Sequence, residues 1–155
     1  MSSTFNTGYL LNHLAFVLGR QSDQVLRERL GLGFSQYKIL MTLEHHPHIQ
    51  QKTIADKLGQ TEASISRQIK LLFEDGLLTS AKRAENRREH ITTLTPKGER
   101  YTIEAKEILQ NYHAPMFSHL TAKQQDALTE ALQILHTQTC NSDKPGSCHQ
   151  TDINQ

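Results

Sequence analysis

Apolar residues recur at helical spacing along most of this chain. Leu11, Leu14, Leu18 and Val25 form one stripe, widened by Leu10 and Val17, and predict a long helix from about Gly8 to Leu30. Met1 to Asn6 reads as a frayed start. The apolar band is wider than a lone surface helix needs, which implies a neighbour or a second subunit. Gly31-Leu32-Gly33 ends the helix, and Ser35 is the expected cap of the next, Gln36 to about His45, with Tyr37, Leu40 and Met41 inward. Ile49 to Leu58 reads as a short third helix with Ile54, Ala55 and Leu58 buried, followed by Gly59. A fourth follows to Gly76, with Ile65, Ile69 and Leu72 at i, i+4 and i+7. Thr61 suits its N-cap, Glu62 sits where the helix dipole favours negative charge, and Gly76 suits the left-handed position past its end.

The pattern then changes. Leu77 to Arg83 and Glu89 to Leu94 are rich in Thr, Ile and Leu around a charged tip, and predict a β-hairpin. Thr95-Pro96 opens a fifth helix with a cap and a proline at the first position. Its expected inward stripe is Tyr101, Ala105, Ile108 and Tyr112, and Pro115 is expected to kink or break it. Thr121 to Gln124 is a capping box, and the last helix is expected to bury Leu128, Ala131, Leu132 and Leu135. Asn141 to Gln155 has little apolar material and reads as a disordered tail.

Two short helices joined by a Gly turn are a helix-turn-helix pattern, whose second helix reads DNA in the major groove. Opposite its apolar stripe, the fourth helix carries Ala63, Ser66, Arg67 and Lys70, with Ser64 at the edge. Small residues allow close approach, hydroxyls can bond to phosphates or base edges, and Arg can make a bidentate contact to guanine. On its own such a face is more often merely solvated. The neighbours change that reading. The hairpin that follows carries Lys82, Arg83, Arg87 and Arg88, which makes the layout a winged helix-turn-helix.

From about Phe34 to Arg100 the chain resembles the MarR family of bacterial transcription regulators. The resemblance rests on Ser35-Gln36-Tyr37, on Leu58-Gly59 through Ile69 to Glu74-Asp75-Gly76-Leu77-Leu78, and on Asn86-Arg87-Arg88 with Leu94-Thr95-Pro96-Lys97-Gly98. With the flanking helices it extends to about Thr139. The chain departs from the pattern in two places. Asn86 stands where the family usually has Asp, which removes an ion-pair partner for a nearby Arg. Gln50 stands where Thr or Ser often caps the first helix of the motif, and Gln is a poorer cap. The resemblance implies a homodimer through interleaved terminal helices, binding a palindromic double-stranded DNA operator. It also implies a pocket for a small-molecule effector, often phenolic or otherwise aromatic, between the dimer helices and the winged region. The physical alternative for the terminal stripes is that they close a monomer core.

Composition narrows the rest. The 155 residues suffice for one domain or one compact subunit. A net charge of +1 decides nothing about nucleic acid, because such binders need a basic face rather than a basic whole. No apolar run reaches the roughly 18 residues a membrane helix needs. No secretory signal is visible, so the cytoplasm is expected. Two cysteines, Cys140 and Cys148, make no disulfide framework, though they could form a redox switch. Nine His include His45, His46 and His48 in one loop, His113 and His119 around Pro115, and His149 in the tail. None has the spacing of a structural zinc site, and solvated loop His is the commoner case. There is no phosphate loop, nucleophile elbow or helical His pair with Glu, so no enzyme, catalytic residue, metal or cofactor is expected.

The expected fold is mainly α with a small β-hairpin wing, a winged helix-turn-helix with dimerisation helices at both ends. Residues 1–33 and 101–140 would dimerise, 34–100 would bind DNA, and 141–155 would be tail. The expected DNA contacts are Gln51, Thr61, Ala63, Ser64, Ser66, Arg67, Lys70, Lys82, Arg83, Asn86, Arg87 and Arg88. The expected function is sequence-specific transcriptional regulation, as a ligand-responsive repressor. The rivals are a metal- or redox-sensing variant of the same fold, and a winged helix that binds another protein.

Overall fold

A computed structural model describes residues 3–82 and 90–140. Its elements are α1 (Ser3–Leu30), α2 (Phe34–His45), α3 (Gln51–Leu58), α4 (Glu62–Glu74), β1 (Leu78–Lys82), β2 (His90–Leu94), α5 (Pro96–Phe117) and α6 (Ala122–Cys140). β1 and β2 pair antiparallel from Leu78 opposite Leu94 to Lys82 opposite His90. Mainly helical structure with one hairpin is the expected fold class.

The core gathers where α2 meets α1, α4 and α5. Leu26, Leu32, Ile39, Leu40, Ile54, Ile65, Leu72 and Leu77 are all at most 2% exposed. The stripe of α4 is inward as its spacing predicts, with Ile65, Ile69 and Leu72 buried. Ile54 and Ala55 are buried in α3, while Leu58 is only half-buried. Tyr37 and Leu40 face inward from α2, and Met41 sits at the core's margin.

Helix ends follow side-chain chemistry. Thr95 Oγ1 accepts from the Gly98 N–H at 3.0 Å, with Pro96 following as the first helical residue. Thr121 and Gln124 cap α6 reciprocally, the Thr121 N–H donating to Gln124 Oε1 at 2.9 Å and the Gln124 N–H to Thr121 Oγ1 at 3.3 Å. Gln50 precedes α3 without a side-chain capping bond, as its chemistry suggests.

Several expectations are corrected. Helix α1 begins at Ser3, so the expected frayed start is largely helical. The N-cap of α2 is Gly33 rather than Ser35. Gly33 has no side chain to cap with, so Gln36 Oε1 accepts the Gly33 N–H at 2.8 Å and Asp23 Oδ1 accepts the Phe34 N–H at 2.9 Å. With both amides served, the helix starts before Ser35.

Pro115 does not break α5, which runs on to Phe117. The one ladder bond it cannot donate, to the Asn111 carbonyl, falls two residues before the helix end, so the turns ahead of it stay intact. The buried face of α5 is Gly98, Thr102, Ala105 and Leu109, rotated from the expected stripe. Gly98 and Ala105 permit close approach, and Thr102 Oγ1 donates to the Gly98 carbonyl at 2.8 Å. Tyr101 and Ile108 lie at the margin, and Tyr112 is exposed.

Helix α6 buries nothing within its own chain. Leu128, Leu132, Ile134 and Leu135 are 39–57% exposed. The same holds at the other end, where Tyr9, Leu10, Leu11, Leu14 and Phe16 of α1 are exposed. The stripes expected there exist, but among the described residues no element covers them.

Candidate nucleic-acid interface

The turn from α3 to α4 is built by Gly59, whose φ of 62° is left-handed and costs a glycine nothing. The Gln60 N–H then returns to the Ala55 carbonyl at 3.0 Å. Thr61 Oγ1 accepts from the Ser64 N–H at 3.1 Å and caps α4. Gly76, at φ 71°, ends the helix as its position predicts.

With the apolar stripe buried, α4 turns Ala63, Ser66, Arg67 and Lys70 to solvent. Gln51 is exposed at the start of α3. Lys70 reaches Glu74 at 3.9 Å, a solvent-exposed pair that holds it weakly. Ser64 is half-buried, and its hydroxyl lies 3.3 Å from Gln60 Oε1, directed into the protein. Lys82 closes β1, the strand that follows α4. Arg83, Asn86, Arg87 and Arg88 lie outside the described residues, as does the tail with Cys148.

A second joint fixes the far end of α4. Thr95 Oγ1 donates to the Gly76 carbonyl at 2.7 Å, Lys97 Nζ to the Asp75 carbonyl at 2.7 Å, and the Thr95 N–H to the Leu77 carbonyl at 3.0 Å. Lys97 thereby brings positive charge to the negative end of the helix dipole. Thr95-Pro96-Lys97-Gly98, singled out in sequence as a motif, is physically the clamp between α4, the hairpin and α5. The side chain of Gln60, which holds the other end through Ser35, carried no marker as a tie between helices in the sequence.

Two hollows flank this unit. One of about 820 Å³ lies between α1 and the start of α2, lined by Phe16, Arg20, Asp23, Gln24, Phe34 and Lys38. Arg20 lies over the Phe16 ring at 5.7 Å and Lys38 over Phe34 at 5.2 Å. The Arg27 hydrogen bond, at 2.7 Å, and the Phe34 N–H hold the Asp23 carboxyl below its ordinary range, against partial burial. The second hollow, about 480 Å³, is lined by Tyr37, Lys106, Leu109, His113, Phe117 and Gln125. Burial pushes the Tyr37 hydroxyl's pKa up, with the Glu44 charge adding to it. His113 Nε2 and Ser22 Oγ are 3.1 Å apart and tie α5 to α1.

Among the described residues no group of three or more His, Cys, Asp or Glu is placed to hold a metal ion. Cys140 is a half-buried free thiol. No helix is long and apolar enough to cross a membrane among the described residues.

Residues 34–90 match the sequence profile of the MarR family. The HTH-type transcriptional regulator YdgJ of Bacillus subtilis (strain 168) is 22% identical over 102 residues, a match spanning 66% of this chain and 62% of that protein. The chain thus spans under two thirds of that relative's length. Among solved structures, BldR from Sulfolobus solfataricus superposes with a TM-score of 0.72 at 23% identity, covering 89% of this chain and 99% of that one. The Mycobacterium tuberculosis MarR family protein Rv2887, in complex with p-aminosalicylic acid, gives 0.72 at 23% identity over 83% of this chain and 96% of that one. CouR from Rhodococcus jostii RHA1, bound to p-coumaroyl-CoA, gives 0.70 at 20% identity over 87% and 94%. At these identities the likeness establishes the winged helix-turn-helix fold.

Proposed function

This chain belongs to the MarR family, and on that premise we propose that it is a cytoplasmic, ligand-responsive repressor that binds a palindromic DNA operator as a homodimer. It is a regulator rather than an enzyme. The observation that carries the reading is α4: capped at Thr61, apolar inward, and presenting Ser66, Arg67 and Lys70 outward directly ahead of the hairpin.

In this reading α4 enters the major groove. Arg67 reaches a guanine edge, and Ser66 and Lys70 reach bases or phosphates. Thr61 Oγ1 accepts the Ser64 N–H, which leaves its own proton for a phosphate at the helix N-terminus. Gln51 and Ala63 complete the contact face, while the Ser64 hydroxyl stays on Gln60, and Lys82, Arg83, Asn86, Arg87 and Arg88 serve the adjacent groove. The exposed apolar faces of α1 and α6 cover one another across a two-fold axis, which sets the two recognition helices roughly 34 Å apart.

The hollows beside α1, α2 and α5 support the effector reading, with aromatic rings and cations suited to a phenolic or other aromatic anion. Relatives of this fold hold p-aminosalicylic acid and p-coumaroyl-CoA.

The test is to sequence the genomic fragments that the purified protein retains, and to titrate salt on the best of them. A shared palindrome whose binding weakens steeply with salt is expected. Retention without a shared sequence would overturn operator reading, and no salt-sensitive duplex binding would favour a protein-binding winged helix.

A further inference from the structure

The turn between α3 and α4 holds a half-buried polar cluster. Gln60 is half-buried there. Its Nε2 donates to Ser35 Oγ at 2.8 Å, and its Oε1 accepts from Ser64 Oγ at 3.3 Å. Ser35 Oγ also stands 3.2 Å from Oε1, so the hydroxyl sits against the edge of the amide. Ser35 belongs to the first turn of α2 and Ser64 to the first turn of α4. One side-chain amide therefore bridges two helices, and it reaches Ser35 from 25 positions away in sequence.

The backbone around Gln60 is already committed. Its N–H returns to Ala55, and the next residue caps α4 through the Ser64 N–H. The side chain alone is left to span outward to α2. The apolar contacts of Ile65, Ile69 and Leu72 hold α4 against the core but are non-directional. Hydrogen bonds weaken steeply when bent, so a planar amide between two hydroxyls sets the rotation and axial position of the helix. Half-buried polar groups that lose their partner pay a desolvation penalty, which keeps the three groups together.

We propose that Gln60 is a positioning residue for operator reading: through Ser35 it fixes the rotation of α4 so that Ser66, Arg67 and Lys70 meet base edges in register. The proposal rests on the reading of α4 as the recognition helix. Base contacts depend on that register, whereas phosphate contacts carry no sequence information.

The experiment uses the full chain with Gln60→Met, which keeps the length but not the hydrogen bonds, with Ser35→Ala, and with both. Dissociation constants are measured for the retained operator and for a random duplex of equal length at the same salt, beside thermal melting of each variant. Each single change is expected to weaken operator binding roughly tenfold, the scale of one good base contact. Random-duplex binding stays unchanged. The double variant is expected to be no worse than either single, because both break one bridge. Equal losses on operator and random duplex, losses that multiply in the double variant, or unchanged operator affinity would each overturn the positioning role. Ser35→Ala removes the bridge from the α2 side without touching the DNA-facing helix, so a poorly folded Gln60→Met does not shield the proposal. A wild-type protein that does not prefer its operator would sink the recognition-helix reading itself, which is a separate result from unaffected variants of a wild type that does.

Discussion

Arg67 and Asp23 show how differently two charged side chains are placed. Arg67 is exposed on α4 and is not part of the buried core. Arg67→Ala is therefore expected to leave melting unchanged and to cost about 1–3 kcal/mol of operator binding, relaxing discrimination at one base pair. Competition binding against single-base operator variants measures this; equal weakening on random DNA would make Arg67 a phosphate clamp instead. Asp23 works inside the chain, with one oxygen on Arg27 and the other on the Phe34 N–H. Its pKa is lowered from the ordinary 3.8, so its contribution is present above that value and is lost as pH falls through the lower folded-state value. The side chain is 39% exposed, so solvent screening keeps that contribution to roughly 1 kcal/mol or less. Asp23→Asn is expected to lower the melting temperature slightly at neutral pH and to converge with wild type in acid, as read by thermal melts across pH 2–6 (about two units either side of the ordinary value). A constant difference across that range would sink the assignment.

Among the elements, those closed by local chemistry were legible in the sequence and those closed by a distant partner were not. Thr61, Thr95 and Thr121 each bond an amide three residues on, so residue type and spacing reveal them. The left-handed turns at Gly59 and Gly76 are similarly local. The start of α2 was misplaced because its amides are served by Asp23 and Gln36, and Asp23 lies a helix away. The buried face of α5 was misplaced for a related reason. Helical spacing of the larger side chains suggested a stripe from Tyr101 to Tyr112, while the chain buries the residues that let a neighbour come closest. Gly98 is the extreme case: a Cβ there would run into the Leu77 carbonyl. Gly98→Ala must push α5 off the end of β1, and is expected to destabilise by about 1–3 kcal/mol in chemical denaturation. Because Leu77 joins α4 to the hairpin, operator affinity is expected to fall as well. A variant as stable as wild type would mean that this clamp yields freely. The solvent-facing residues of α4 were legible for the same local reason as its cap, since a single helix sets which side chains share a face.

Over the whole molecule the most telling surface is apolar. Leu10, Leu11 and Leu14 near one end and Leu128, Leu132 and Leu135 near the other are exposed. In the proposed dimer these faces are the interface. Leu132→Glu is expected to give monomers by sedimentation, with α2 to α5 still folded and operator binding lost as the linked second half-site disappears. A dimer that persists in this variant would place the interface elsewhere. The uncovered α6 also has a genetic meaning. In the proposed dimer a subunit would pair through α1 and α6 whether or not its own recognition helix reads DNA. An allele carrying Arg67→Ala with Lys70→Ala would draw wild-type subunits into mixed pairs, leaving about a quarter of dimers intact at equal expression. Loss of reading would then be dominant over the wild type, whereas loss of pairing, as in Leu132→Glu, would be recessive.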